Sequence, residues 1–420
     1  MIGRRTASAL IALAVSLVAA GRLAAQAPGT VRALGLGDAS VALATGYEAG
    51  LYNPAGLAVE VVDLTAFGLR AGLLLGPGGF RSLRGAGSHL DPAEKAALLE
   101  AVRRAGGASA ALDAGVHLLG IAARGFALNV GTVGRARGAV PPALMELVLY
   151  GNVGQGGDAD GFTFDGAGAR GHVVTTVSLS HGRALPLGVP GEVSIGATAR
   201  YGRVHAWADL RDEGSRILND PVDARASGSV LEARGGSVYG LDLGLRWGRG
   251  EWAARLLVRD LFAGHRIDRD GAALRTLVGT ASLEEGTHST TIVQRYDELD
   301  AGLRAAADRR LAAPLTATRI VVGGARVRST DALQAQLSFG SSRSGDPSFA
   351  FAAGGTLWPA RFLELRGAAR LGSDPAALFA GVSFQLAAAA LDLGVQRTLG
   401  RGLGGQAGVQ LRVSPGSGGR

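Results

Sequence analysis

The side chains best suited to bind metals or to act as bases are scattered along this sequence. No two histidines stand three or four residues apart, the spacing that places two ligands on one helix face. His172 and His181 fall within one predicted strand, but their odd separation puts them on opposite faces. Cysteine is absent, which excludes thiolate ligands and cysteine nucleophiles. We therefore expect no metal centre and no cofactor. The histidines are His89, His117, His172, His181, His205, His265 and His288.

Sequence patterns typical of enzymes are equally weak. No Gly-x-Ser-x-Gly turn, the setting of many serine nucleophiles, occurs in the chain. Residues 166–171 have the glycine spacing of a dinucleotide-binding loop, but they lead into a predicted strand. A pyrophosphate needs the N-terminus of a helix at that point, because the unpaired backbone amides of the helix hold it. We therefore expect a protein that is not an enzyme.

The net charge of +8 does not indicate a nucleic-acid partner. Of the 43 basic residues only Lys95 is a lysine, and the arginines stand singly rather than in clusters. Binding to single-stranded nucleic acid typically combines a basic groove with aromatic side chains on which the bases stack. That combination is missing here.

Apolar and polar residues alternate with a period of two in many segments. Leu363 and Leu365, for example, alternate with Glu364 and Arg366. This period indicates strands, because successive side chains point to opposite faces. Most segments run for roughly nine residues or more, the length that a tilted strand needs to cross a bilayer. The fourteen predicted strands are residues 61–75, 116–124, 126–137, 172–184, 192–208, 238–248, 251–262, 315–328, 333–341, 348–358, 361–371, 376–386, 388–398 and 404–413.

The connections between these strands alternate between short turns and long polar stretches, which is typical of outer-membrane barrels. A sheet in lipid must close, because an open edge leaves backbone groups without hydrogen-bond partners. Residues 288–296 also have strand character, but a fifteenth strand would put the two chain ends on opposite sides, so we assign them to a loop. The predicted fold is an all-β, transmembrane antiparallel β-barrel of about 14 strands. A soluble β-propeller is disfavoured, because no internal repeat is visible.

The chain start carries an export signal. Arg4 and Arg5 precede an apolar run at residues 7–20 that is too short to span a bilayer, and small residues follow it. We predict a Sec-type signal peptide at residues 1–25, a lumenal N-terminal segment at 26–60, the barrel at 61–413 and a C-terminal tail at 414–420.

The segment before the first strand carries a motif. Residues 34–44 are rich in small side chains, and Asn53, Pro54 and Ala55 follow. Asn53 is a good helix N-cap and Pro54 suits the first helical position, which predicts a short helix there. This stretch resembles the N-terminal signature of the FadL-like outer-membrane barrels, a superfamily that includes the fatty-acid transporter FadL and the secretion-associated barrel PorV.

The resemblance implies that the N-terminal segment is a plug in the lumen and that Asn53, Pro54 and Ala55 shape a gate. It also implies helical insertions at residues 91–105 and 143–150, the second followed by Gly151 and Asn152. The expected location of the protein is the outer membrane, whose lipid is an expected partner.

Charged residues are expected to face the lumen, where they form a hydrated, ion-paired interior or bind the head group of an acidic amphiphile. Two functions stay open. The FadL resemblance implies passage or binding of small hydrophobic or amphiphilic molecules. The PorV resemblance implies a barrel that docks a protein partner through its extracellular loops, chiefly residues 263–314. The lumen-facing candidates are Asp242, Arg246, Arg255, Arg259, Glu364, Arg366, Arg370 and Arg412.

Overall fold

A computed structural model gives the structure of most of the chain. The described residues are 30–37, 43–59, 61–75, 90–151, 154–155, 161–219, 222–282, 286–313, 318–341, 347–372, 376–386, 389–399 and 403–413. The predicted signal peptide, the C-terminal tail and Asn152 therefore lie outside the described residues.

The described part of the chain contains nineteen strands in one sheet. Fourteen of them form a closed antiparallel barrel, in which each strand pairs with the next and β19 pairs back with β1. The other five, β4, β7, β8, β11 and β12, belong to an extension at one end. The strands are β1 (Asp63–Leu75), β2 (Ala108–Ala123), β3 (Phe126–Val140), β4 (Gly161–Thr163), β5 (Gly168–Leu185), β6 (Glu192–Asp212), β7 (Arg216–Asn219), β8 (Val222–Ala233), β9 (Gly236–Arg249), β10 (Trp252–Ile267), β11 (Ala272–Ser282), β12 (Gly286–Arg295), β13 (Arg319–Val327), β14 (Asp331–Ser341), β15 (Pro347–Ala360), β16 (Leu363–Gly372), β17 (Ala377–Leu386), β18 (Ala389–Thr398) and β19 (Leu403–Val413).

The predicted barrel is confirmed: each of the fourteen predicted segments is a barrel strand, in the predicted order. The largest difference is in β2, which begins at Ala108 instead of residue 116. Residues 108–115 are mainly alanine and glycine, so their alternation between two faces leaves little trace in hydrophobicity.

The outer face of the barrel is apolar. Leu365, Val382, Leu393, Val409 and Leu69 pair across β16, β17, β18, β19 and β1 and form a continuous apolar row. Leu365 is 41 % exposed, whereas Glu364, next to it on the same strand, is 3 % exposed. The predicted two-sided wall, apolar outside and polar inside, is therefore present. No helix in the described ranges is long and apolar enough to cross a bilayer.

The connections fall into two classes at opposite ends of the barrel. Two residues each join β2 to β3, β9 to β10 and β15 to β16, which defines the short-turn end. The connections after β1, β3, β6 and β10 are long and lie at the other end, the long-loop end. The plug segment enters β1 at the short-turn end, and β19 finishes there.

The extension is built by splitting the wall at β6. The lower part of β6 pairs with β9 as far as Arg203, and its upper part pairs with β8 from Trp207 onward. β8 then pairs with β11, and β11 with β12. The assignment of residues 288–296 to a loop was wrong, because most of them belong to β12. The predicted number of barrel strands is unaffected, because β12 pairs with β11 in the extension and does not enter the barrel.

Five α-helices and two 3-10 turns complete the described chain. The first insertion helix starts with a capping box between Asp91 and Glu94, as its sequence predicts. Both insertion helices are confirmed and pack on each other through Leu98, Leu99 and Met145. The helix after β12 was not predicted, because its mixed alanine and arginine sequence shows no clear apolar face. The helices are α1 (Val31–Leu34), α2 (Gly46–Tyr52), α3 (Pro92–Arg104), α4 (Pro142–Tyr150) and α5 (Ala301–Leu311), and the 3-10 turns are Pro54–Ala58 and Tyr296–Glu298.

Candidate functional site

The N-terminal segment lies inside the barrel and lines its inner wall. We call residues 30–37 and 43–59 the plug. Helix α1 contacts β17, β18 and β19, helix α2 contacts β2 and β3, and the first 3-10 turn contacts β5, β6 and β9. Tyr47, Ala49 and Leu57 of the plug form one apolar cluster with Ala122 and Ala127 of the wall. The plug thus follows the wall around much of the lumen.

Asn53 joins the plug to the wall. Its Oδ1 accepts a hydrogen bond from the amide of Ala55 at 3.1 Å, so it caps the 3-10 turn as predicted. Its Nδ2 donates to the carbonyl oxygens of Leu245 on β9 and Leu256 on β10, each at 3.3 Å. The side chain is fully buried, so each of these bonds replaces one to water. One amide therefore fixes both the local turn and its position in the barrel.

The wall is shaped to receive this turn. Gly182, Gly196 and Gly244 pair across β5, β6 and β9 and form a glycine row, which we call the glycine cradle. A Cβ atom added at Gly182 or Gly196 would overlap the backbone of Pro54, and one at Gly244 would overlap Oδ1 of Asn53. The cradle lets the backbone of the plug approach the strands more closely than any side chain allows. The cradle has no signal in the sequence, because the three glycines are brought together only by the barrel register.

A second link between plug and wall is ionic. Arg32 lies between Glu48 of the plug, at 3.2 Å, and Glu364 of β16, at 3.1 Å. Glu48 also accepts a hydrogen bond from the hydroxyl of Thr30 at 2.7 Å. The nearby carboxylate of Glu364 raises the pKa of Arg32 well above its ordinary value; burial opposes this rise, and the carboxylate of Glu48 adds to it. The predicted lumen residue Glu364 therefore holds the plug.

Three of the predicted residues share one corner of the lumen. The carboxylate of Asp392 on β18 lies 3.2 Å from the guanidinium of Arg366 and 3.7 Å from that of Arg412. It also accepts a hydrogen bond from the hydroxyl of Ser383. Glu364 lies beside Arg366 at 4.0 Å. We call this group the β16–β19 cluster. Its central carboxylate, Asp392, was not among the predicted residues.

Asp242 and Arg259 belong to a second group, the β6–β10 cluster. Arg200 donates to both carboxylate oxygens of Asp242, at 2.7 and 2.8 Å, and also to Asp260. The amide of Asp260 donates to Asp242 at 2.8 Å, and Arg259 lies 3.9 Å from the same carboxylate. Asp260 has a φ of 54° and sits in a bulge of β10 between Val258 and Phe262. A bulge re-aims side chains, which here brings two consecutive residues of β10 into the cluster.

A third group, the β1–β3 cluster, was missed entirely. Asp113 of β2 lies between Arg70 of β1, at 3.5 Å, and Arg135 of β3, at 2.8 Å. All three are buried. Asp113 lies ahead of residue 116, where the predicted strand began, so its pairing with the arginines of β1 and β3 was not visible in the sequence.

Arg246 and Arg255 line a cavity at the short-turn end. The cavity has a volume of about 390 Å³ and lies between the plug and the ends of β9, β10, β14 and β15. Arg255 donates to the carbonyl oxygen of Ala44 at 2.7 Å, and Arg246 lies 3.6 Å from Glu192. The last predicted residue, Arg370, stands apart from the clusters, over the ring of Phe379 at 5.5 Å.

The long-loop end has an apolar cap. Helix α5 packs Leu311 against Trp207, Leu231 and other apolar residues of the extension. Its Arg310 is buried and bonds to Asp209 of β6, with 3.3 Å between Nε and Oδ2, and to the hydroxyl of Ser229 at 2.9 Å. Among the described residues no group of three histidine or acidic side chains is arranged to hold a metal ion.

Comparison with known proteins identifies the architecture. No family model matches the sequence, and no curated protein matches it. The TodX ΔS2S3 mutant, a monoaromatic hydrocarbon channel, superposes with a TM-score of 0.53 at 9 % identity, over 92 % of this chain and 98 % of its own. The CymD monoaromatic hydrocarbon channel gives 0.50 at 11 % identity, over 92 % and 97 %. This chain has the fold of these two solved structures.

A third solved structure, a Pseudomonas aeruginosa FadL homologue, gives a TM-score of 0.47 at 12 % identity, over 94 % of this chain and all of its own. The two superpositions with TM-scores of 0.50 or above confirm the predicted barrel fold. In this barrel the three motif residues lie in the plug, at the point where the glycine cradle receives it.

Proposed function

We propose that this FadL-like barrel is an outer-membrane channel, not an enzyme, through which small hydrophobic or amphiphilic molecules pass. One observation carries the proposal: a closed wall with an apolar outer face surrounds a charged lumen in which the plug leaves a cavity of about 390 Å³. A bilayer explains the apolar exterior, and passage explains why the plugged lumen keeps open volume. The solved structures with the same fold include two monoaromatic hydrocarbon channels, which supports the choice of solute.

The orientation follows from the loops. Short turns and both chain ends of such barrels face the periplasm, and long loops face outward. The apolar cap around α5 would then meet the solute first, and the cavity beside Arg246 would be the last space before the periplasm. The predicted signal peptide at residues 1–25 would direct the chain there by the Sec route.

The plug is the gate in this proposal. Asn53 holds the 3-10 turn against β9 and β10, and Pro54 and Ala55 occupy the glycine cradle. With this end fixed, a solute has to pass along the part of the lumen between the plug and β13 to β15. The motif residues would therefore set the width of the path without touching the solute.

The test is uptake across a bilayer whose outer leaflet is lipopolysaccharide, because phospholipid alone lets neutral aromatics through. The probe is N-phenyl-1-naphthylamine, which becomes fluorescent when it reaches the inner phospholipid leaflet. We expect the inserted protein to speed the fluorescence rise, and the variant Ala332→Trp, which fills the cavity from β14, to slow it. A rise no faster than in protein-free vesicles would exclude a channel for such molecules.

A specific feature favours docking of a protein partner as the second candidate. The hairpin β11–β12 projects from the extension, and in the described structure β12 pairs only with β11. Its residues are exposed on both faces, including Ile292 and Val293 at 50 % each. A sheet edge of this kind can accept a strand from another protein.

Docking is tested by placing a photo-cross-linking residue at Thr290 in intact cells. A docking barrel gives one discrete adduct, and shortening the hairpin by residues 277–291 abolishes it. The control places the photo-cross-linking residue at position 181, in place of His181 near the short-turn end. If position 290 yields no discrete adduct, the β11–β12 hairpin is not a docking site.

A further inference from the structure

The outer face of the barrel carries a row of three residues at the short-turn end, where β9, β10 and β13 lie side by side. Arg249 and Trp252 are directly opposite each other and close the two-residue turn between β9 and β10. Trp252 is also directly opposite Arg326 of β13. Residues paired in this way share one face of a sheet, and Trp252 is 59 % exposed on the outer face. We call these three residues the arginine–tryptophan row.

The arginines of the row keep hydrogen-bond donors that no described residue uses. Arg326 lies over the ring of Trp252, with 5.6 Å between the guanidinium carbon and the ring centroid. Its Nε donates to Glu251 at 2.9 Å, and Nε of Arg328 donates to the same carboxylate oxygen at 3.3 Å. Among the described residues, the terminal nitrogens of Arg326 have no hydrogen-bond partner and Arg249 has no ion-pair partner. An exposed guanidinium of this kind can bind a phosphate through two parallel N–H groups.

The acidic residues nearest in the chain to the row lie in the turns. Glu251 is one of the two residues of the β9–β10 turn, and Asp331 is the first residue of β14. Oδ1 of Asp331 accepts a hydrogen bond from the hydroxyl of Thr330 at 3.3 Å. Neither carboxylate is part of the row itself, so its two arginines present positive charge to whatever lies against the outer face.

An apolar row follows on the same face. Four residues nearer the long-loop end stand Leu245 of β9, Leu256 of β10 and Val322 of β13, which are again directly opposite one another. All three are exposed. Four residues of a strand span about 13 Å, so a cationic band and an apolar band succeed each other over part of the length of a lipid molecule. This order matches a charged head group followed by acyl chains.

The opposite wall has a different row near the short-turn end. There Leu391 of β18, Leu411 of β19 and Phe67 of β1 are directly opposite one another. All three are apolar and exposed on the outer face. The rim of the barrel therefore differs from one side to the other, and only the side of β9, β10 and β13 offers paired arginines beside a tryptophan in the rows compared.

We propose that the arginine–tryptophan row binds an anionic phospholipid of the inner leaflet of the outer membrane. The phosphodiester lies between Arg249 and Arg326, the indole of Trp252 lies at the level of the head group, and an acyl chain lies along Leu256. Indole rings favour the boundary between head groups and hydrocarbon, and arginines near a bilayer surface attract anionic lipids. The inner leaflet follows from the orientation proposed above, in which the short turns face the periplasm. The inference goes beyond the channel function, because it does not depend on what passes through the lumen.

The test measures which lipid lies beside the row in vesicles. The chain has no cysteine, so Leu256→Cys places a single fluorescent label next to the row. Val409→Cys on β19 is the matched control: both residues are 37 % exposed, and each lies four residues from the short-turn end of its strand. Phosphatidylcholine vesicles receive either brominated phosphatidylglycerol or phosphatidylcholine with the same brominated chains. Quenching of the label then gives the relative affinity of the two lipids at that position.

We expect phosphatidylglycerol to be favoured roughly fivefold or more at position 256, because each arginine near a bilayer surface favours an anionic lipid by about that factor. At position 409 we expect no preference. Replacing both arginines of the row, Arg249→Gln together with Arg326→Gln, removes the preference at position 256. Arg183→Gln, at an exposed arginine on the outer face of β5 near the same end, leaves it unchanged.

Each other result overturns the proposal. No preference at position 256, or an equal preference at positions 256 and 409, shows that the row does not select the lipid. This comparison leaves the row intact, so it does not depend on the folding of the arginine variants. A preference that survives in the double variant, or that is lost equally in Arg183→Gln, assigns it to the overall charge of the barrel. Displacement of phosphatidylglycerol from position 256 by lipopolysaccharide shows that the row binds phosphates of the outer leaflet instead.

The two proposals fail separately. If N-phenyl-1-naphthylamine enters the lipopolysaccharide vesicles but position 256 shows no lipid preference, the channel stands and the lipid site falls. If the preference is present and the fluorophore does not enter, the lipid site exists on a barrel that is not a channel for such molecules.

Discussion

Gly244 of β9 and Asn53 of the plug fit each other so closely that a Cβ atom at residue 244 would overlap Oδ1 of Asn53. The same asparagine donates to the carbonyl oxygens on either side of the β9–β10 ladder. The plug is therefore positioned by backbone approach and by one amide, and each part of this attachment can be tested separately.

Removing the amide should loosen the plug. Asn53→Ala loses the bonds to Ala55, Leu245 and Leu256, a loss of about 1–3 kcal/mol for the buried groups left unpaired. We expect the barrel to keep its heat-modifiable migration and its ion conductance in planar bilayers to rise. Asn53→Asp can still cap Ala55 but cannot donate to the wall, so an equal rise in this variant assigns the effect to the wall contacts. Conductance like that of the unchanged protein in both variants would exclude Asn53 as an anchor.

Filling the glycine cradle should act in the same way. In Gly196→Ala the new Cβ would lie 2.6 Å from the amide nitrogen of Ala55, so the plug or the strand has to move. We expect a lower midpoint of thermal unfolding and a higher conductance. Gly134→Ala is the control, because its Cβ would lie 3.8 Å from Val173, an ordinary contact. A midpoint that falls equally in both variants would show that the effect is general to glycines in strands.

The β16–β19 cluster should depend on its central charge. Asp392→Asn leaves Arg366 and Arg412 without their shared carboxylate, and breaking a buried ion pair costs about 3–5 kcal/mol. The comparison variant is Glu251→Gln, at an exposed pair with Arg326 that is worth about 0–1 kcal/mol. Urea unfolding in lipid vesicles measures both free energies. A loss in Asp392→Asn no larger than in Glu251→Gln would show that water already screens this corner of the lumen.

The apolar cap should detach from the extension when its latch is removed. Arg310→Leu breaks the bonds to Asp209 and Ser229 that fix helix α5. We expect trypsin to cleave after Arg309 faster than in the unchanged protein, while the barrel stays intact. Arg275→Gln breaks an exposed pair with Glu232 and should leave the cleavage rate unchanged. An unaltered rate in Arg310→Leu would mean that the apolar contacts alone hold the helix.

The sequence was sufficient to predict the barrel, because a wall between two solvents imposes a strong local pattern. Leu365 and Glu364, adjacent in the chain, are 41 % and 3 % exposed, and this alternation is readable in any strand of ordinary length. The cap of the 3-10 turn by Asn53 was predicted for the same reason, since it depends on residues two positions apart.

What the sequence did not reveal depends on the register between distant strands. Asp113 and Asp392 are central to their clusters only because β1, β2 and β3, or β16 to β19, bring arginines to them. The glycine cradle joins residues from three strands, and no local signal marks it. Asp260 was missed because its bulge reverses the inward and outward alternation on which the prediction relied.

The central claim, that alternate side chains of the wall face lipid, has a direct test on β18. The chain contains no cysteine, so Val395→Cys and Gln396→Cys each give a single site for a fluorescent label. Val395 is 53 % exposed on the outer face, and Gln396 points to the lumen. In vesicles of brominated phospholipid we predict strong quenching of the label at position 395 and little at position 396. Equal quenching at the two positions, or none at 395, would contradict the claim.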